Sequence, residues 1–402
     1  MKKLFMLLPL AALVFASCSS DNFETEDANI AKYPEGAIWF STGIDATRAL
    51  TTTANFRQFN VTGLHSEAKY AFTNLAVSSE NGTVWSYNTG DTDNPYKYWP
   101  ADNTDVKFFA YSPASLQAKT TISDAYGKKI TGFQQEVVVA NQIDVLSATV
   151  TGNKSSNAYT GVTLDFKHAL AQIEIKAKNS NTAGYTVKVL GVKLCRVNDE
   201  GDMTFQSVST DLPTWNNLTG SKSFMKQGSE AKELTNQVQS IMFGNDNFLM
   251  LPQSLTAWDG SKADATGSYL AVLCQIYDNT QTQIFPDDEG KYGFSAVPIG
   301  TKWEVGHKYV YTLDFFGAGA GAGQVDPEPG NATPDPNDPT APQPGEPGSP
   351  IDTTPTGGQT TPGGGDSEGG SPIIPDAKSP IKFTVTITDW TNEAGDNSVI
   401  DL

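Results

Sequence analysis

Apolar and polar residues alternate with a period of two along residues 162–179, VTLDFKHALAQIEIKAKN, which predicts a half-buried β-strand. Val162, Leu164 and Phe166 carry the apolar side before His168, whereas Ile173, Ile175 and Ala177 carry it afterwards. The two halves are out of phase. A strand changes its inward face only through a bulge or a break, and a bulge is expected at residues 168–171. Such a strand needs a second apolar layer over it, which the rest of the chain must supply as further strands.

Similar patterns recur on both sides. Residues 37–40 (AIWF) form a short strand candidate, followed by a polar segment at 43–53 and further candidates at 59–61 and 70–72. In residues 96–113, YKYWPADNTDVKFFAYSP, a Pro-Ala-Asp-Asn turn leads into a strand that is apolar on nearly both faces. Trp99, Phe108, Phe109 and Tyr111 read as sandwich core. Beyond residue 179, strand patterns return at Val187, Val189, Val192 and Leu194, and at 241–243, 248–251, 269–277 and 309–315. Residues 269–277 are apolar on both faces and so should be central, whereas the polar stretch 207–239 is expected to hold a long loop or a short helix. Short polar turns without a sustained helical period make the chain all-β.

At residue 317 the composition changes. Residues 317–380 hold 14 Gly and 14 Pro, nine acids and one Lys, a mixture that buries too little apolar surface to fold and is read as a disordered linker. After it, IKFTVTITDW (381–390) places Ile381, Phe383, Val385 and Ile387 on one face and Lys382, Thr384, Thr386 and Thr388 on the other. So regular a strand needs a partner. Closing the 64-residue stretch costs about 4 kcal/mol beyond a constant, less than the burial of its apolar side chains returns, so this strand is expected to fold back beside residues 309–315.

The N-terminus has a different character. Lys2 and Lys3 precede an apolar run too short to span a bilayer, so residues 1–17 read as an export signal. Phe15-Ala16-Ser17-Cys18 resembles the lipobox of bacterial lipoproteins, which implies cleavage before Cys18 and lipid on its thiol and new N-terminus. Residues 18–35 read as an acidic tether. A formal charge of −18 argues against sequence-independent binding to nucleic acid, which needs clustered Lys and Arg.

Catalytic and metal-binding signatures are missing. His65, His168 and His307 are far apart, without Cys or His at metal-ligand spacing, and no Walker loop, nucleophile elbow or HExxH occurs. His168 reads as a packed, hydrogen-bonded strand histidine, and Asp287-Asp288-Glu289-Gly290 as a solvated turn. No cofactor or metal is expected and no enzyme activity. With Cys18 lipidated, Cys195 and Cys274 lie in apolar strand patterns and are expected as buried free thiols.

Three stretches in this order resemble the fimbrillin family of Bacteroidetes surface lipoproteins. They are Tyr98-Trp99-Pro100 with FFAYSP at 108–113, FKHAL at 166–170 leading into Ile173, and WEVGHKYVY at 303–311. The resemblance implies two consecutive Greek-key, transthyretin-like β-sandwich domains, at 36–180 and at 181–316 with 381–402, with the Gly/Pro-rich insertion before the last strand. It implies location on the cell outer membrane and in fimbriae, with other fimbrial subunits as partners. It also implies that Thr47-Arg48-Ala49 resembles a site where an arginine-specific protease trims subunits. Trimming would remove the strand at 37–40 and leave a groove for a neighbour's strand. Ile38 and Phe40, and Phe383, Val385 and Ile387, are then the candidates for strand complementation. The competing reading is a monomeric surface lipoprotein that binds glycan or a host protein through aromatic loops.

Overall fold

The structure, a computed structural model, describes residues 33–44, 55–65, 69–125, 127–261, 263–286, 289–327, 373, 381–390 and 398–401. Its elements are almost all strands. The first part of the chain forms β1 (Phe40–Ile44), β2 (Gln58–His65), β3 (Lys69–Ser78), β4 (Ser86–Tyr87), β5 (Val106–Ser112), β6 (Thr120–Ser123), β7 (Gly127–Gln134), β8 (Leu146–Gly152) and β9 (Val162–His168). Then come β10 (Ala171–Asn179), β11 (Tyr185–Val197), β12 (Glu200–Thr204), β13 (Thr214–Thr219), β14 (Lys222–Glu233), β15 (Gln239–Ser240) and β16 (Phe248–Met250). The last are β17 (Tyr269–Asp278), β18 (Gln283–Phe285), β19 (Gly293–Pro298), β20 (His307–Phe315), β21 (Gln324–Val325), β22 (Lys382–Asp389) and β23 (Ser398–Asp401).

The first sheet runs β1-β9-β8-β5-β2-β3-β4. Phe40 on β1 and Phe72 on β3 stand far apart in that order, yet their ring centroids are 6.5 Å apart, so the sheet folds over on itself. The fold lies at β8 and β9, which are registered only at Leu146↔His168 and Ser147↔Lys167. Between the two layers lies an aromatic core that includes Phe40, Phe59, Phe72, Trp85, Trp99, Phe108 and Phe166. Successive residues of β5 serve opposite faces, which is why VKFFAYS is apolar almost throughout. Phe108 enters this core, while Phe109 and Tyr111 enter a second one with Ile130, Phe133, Met203, Phe205 and Leu249. A four-stranded sheet, β13-β12-β7-β6, draws strands from both parts of the chain and contributes to that second core.

The phase change at residues 168–171 is a break and not the expected bulge. β9 ends in the first sheet, and β10 begins beside β16 and β20 in a different one. Ala169 and Leu170 are buried in the shared core where the chain crosses over. The alternation after Ala171 therefore already matches the sheet that holds β16 and β20.

In the second sandwich, β15-β10-β20-β22-β23 faces β14-β11-β17-β19-β21. Ile173 and Ile175, Val192 and Leu194, Val272 and Cys274, and Tyr309, Tyr311 and Leu313 meet in its core. β17 is central, between β11 and β19. A register shift between Val189 and Gly191 lets odd positions of β11 face inward before it and even positions after it. The stretch 207–239 holds strands β13 and β14 where a loop or helix was expected. Both are edge strands: β13 is mostly exposed, and β14 is half-buried with only Phe224 in the core, so burial imposed no sustained apolar alternation for the sequence to display.

Part of the stretch expected as linker is packed on the second sandwich. Gln324 and Val325 pair with β19, Ala322 and Val325 are buried, and Ile373 returns to the same core. Residues 328–372 lie outside the described part.

Candidate assembly site

Residues 37–44 enter the first sandwich as an extended edge segment. β1 runs parallel to β9, from Phe40↔Val162 to Ile44↔Phe166. Ahead of it, Ile38 N–H donates to Lys97 O at 2.7 Å, and Val162 N–H donates to Trp39 O at 2.9 Å. The Tyr87 hydroxyl donates to Ile38 O at 2.7 Å. Ala37, Ile38, Trp39 and Phe40 are all buried, with Phe40 edge-on to Phe59, Phe72 and Phe108. Trp39 covers Gly161, which has φ of +72° and whose added Cβ would sit 2.6 Å from the indole, so only glycine suits the turn into β9. Without residues 37–44, β9 becomes a free edge and the aromatic bed opens.

The second sandwich has a different arrangement. β22 lies antiparallel to β20, registered from His307↔Asp389 to Asp314↔Lys382, and β23 pairs with its other side. Val385 is buried in the core, while Phe383 and Ile387 pack on it from partly buried positions. Beyond β22, Trp390 N–H donates to Gly306 O at 2.7 Å, and the indole stacks on His168 with centroids 4.1 Å apart. His168 Nδ1 is 3.0 Å from Asp144 Oδ1, and both side chains are buried. The histidine that ends β9 thus anchors the end of β22 at the junction of the two sandwiches. Sequence reasoning marked His168 as packed but had no signal for its partners, which are 24 positions back and far ahead in the chain.

Of the sequence candidates, the structure places Ile38 and Phe40 together in the first sandwich and Phe383, Val385 and Ile387 together in the second. Cys18, Arg48 and Ala49 lie outside the described residues, as do Asp287 and Asp288. Among the described residues no group of His, Cys, Asp and Glu is placed to hold a metal ion, and no helix is long and apolar enough to cross a membrane. Cys195 and Cys274 are buried free thiols. Burial pushes the Cys195 thiol up to about 12.

A family model described as fimbrillin-like matches residues 47–326. No curated protein matches. Among solved structures, a fimbrial protein from Bacteroides vulgatus ATCC 8482 is 15% identical, with 69% of this chain and 94% of that chain covered and a TM-score of 0.44. A candidate cell adhesion protein from Bacteroides uniformis ATCC 8492 is 19% identical, with 70% and 93% covered and a TM-score of 0.39. Another, from Parabacteroides distasonis ATCC 8503, is 10% identical, with 90% and 99% covered and a TM-score of 0.44.

Proposed function

The chain belongs to the fimbrillin-like family, a family of non-enzymatic structural proteins, and from that premise we propose that it is a tip, anchor or accessory subunit of a cell-surface fimbria. Its neighbours are other fimbrial subunits, joined by strand complementation. The observation that carries this reading is the seat of residues 37–44: an edge segment whose residues 37–40 are buried on an aromatic bed and which ends a few residues before Arg48. Cleavage between Arg48 and Ala49 would sever that segment from the rest of the fold. A neighbour's strand would then re-cover Phe59, Phe72 and Phe108. The pairing of β22 on both sides supports a terminal or accessory place over a shaft place, because a strand held by β20 and β23 is not offered to a neighbour.

Two results are expected. Filaments sheared from cells producing the natural chain contain it, whereas those from cells producing Arg48→Ala contain at least tenfold less. Equal incorporation of the variant would refute trimming as the step that opens the slot. Lipidation during export, before residues 18–48 are trimmed away, is tested separately. Cys18→Ala is expected to lose metabolic labelling with palmitate, and a variant that still takes up the label would refute lipidation at that residue.

A further inference from the structure

The outer face of the sheet that holds β11 and β17 carries its own small core, separate from the sandwich interior. Cys195, Tyr269, Ala271, Phe294 and Ala296 meet there. Lys193 on β11 is in register with Ala271 of β17, and Ala271 with Ala296 of β19. These two small side chains leave room for the lysine stem, and its nitrogen reaches a point 4.3 Å from the centre of the Phe294 ring. It ends 2.5 Å from Oδ2 of Asp326, the residue after β21, and both side chains are fully buried. The other carboxylate oxygen, Oδ1, accepts a hydrogen bond of 2.8 Å from the Tyr269 hydroxyl. Burial, with Cys195 and Asp326 close by, pushes that hydroxyl well above the ordinary phenol range, so it remains a donor.

An ion pair enclosed in this way has given up the hydration of both charges, and its mutual attraction restores only part of that loss. Transfer of one proton within the pair leaves a neutral amine against a neutral acid. With a C–O bond of about 1.2 Å, the nitrogen is at most about 3.7 Å from the carboxyl carbon, just beyond the ~3–3.5 Å of a near-attack pair.

We infer that Lys193 and Asp326 condense to form an intramolecular isopeptide bond. One proton passes from Nζ to Oδ2, and the nitrogen lone pair then attacks Cγ. The π electrons of the carbonyl move onto Oδ1, where the Tyr269 hydroxyl stabilises the developing charge. A second nitrogen proton passes to Oδ2, the Cγ–Oδ2 bond breaks, and water leaves as the carbonyl reforms. Ammonium plus carboxylate becomes amide plus water, with nothing oxidised or reduced. The bond ties β11 to the residue that leads into 328–372, so tension across this part of the sandwich passes through an amide instead of through the strands between.

The test is tandem mass spectrometry of a proteolytic digest of the full chain, purified and denatured. A branched peptide joining Lys193 to Asp326, lighter by one water than its two parts, is expected from the natural chain and not from Lys193→Met. Recovery of the two peptides only as separate species from the natural chain would overturn the inference. A Tyr269→Phe chain is expected to close more slowly; closure as fast as in the natural chain would overturn the role given to that hydroxyl.

Discussion

Removal of residues 381–402 is expected to destabilise the isolated chain by about 3–5 kcal/mol. β20 would lose a partner over the eight registered pairs between His307↔Asp389 and Asp314↔Lys382. Ile381, Val385 and Trp390 are each at most 2% exposed, and burial of such side chains contributes roughly 1.5–3 kcal/mol apiece. The conformational entropy of ordering the segment offsets part of that sum. At the junction, His168 would lose the indole stacked on it while keeping its buried contact with Asp144. Urea unfolding followed by tryptophan fluorescence measures the change. An unchanged midpoint, together with lost assembly, would mean that β22 serves a neighbour.

In the uncut chain, Phe40→Ala is expected to cost about 3–5 kcal/mol. The ring is 1% exposed and stands edge-on to three other phenylalanines at 5.7 to 6.5 Å, so truncation leaves a cavity inside a packed aromatic core. In a chain cut between Arg48 and Ala49, the same substitution is expected to speed release of the severed segment by more than tenfold, because that ring then helps to hold a separate peptide. Dissociation of the labelled segment provides the readout. A loss below about 1 kcal/mol in the uncut chain would show that Phe40 does not hold the segment in place.

How far the sequence reaches depends on whether burial acts on a stretch. β5, β9, β10, β17, β20 and β22 each bury one or both faces, and their alternation or continuous apolar runs were legible. β13 is a mostly exposed edge strand and β14 a half-buried one with a single core residue, Phe224, and a stretch that fully buries so little shows no period. The phase change at His168 was visible too, yet a bulge and a crossover leave the same trace in one dimension. Only the pairing of β10 with β20 tells them apart. The apolar character of residues 37–40 was readable, but not that they pack parallel to β9 against rings from β2, β3 and β5. The Lys193–Asp326 pair had no sequence signal, since it joins residues 133 positions apart through two small side chains that leave room for a lysine.

The most direct test of the account is the N-terminus of this chain in filaments sheared from the cell surface, read by mass spectrometry. The account predicts a subunit that begins at Ala49, with the slot beside β9 filled by a neighbour's strand. Assembled subunits that still carry residues 18–48 intact would contradict it.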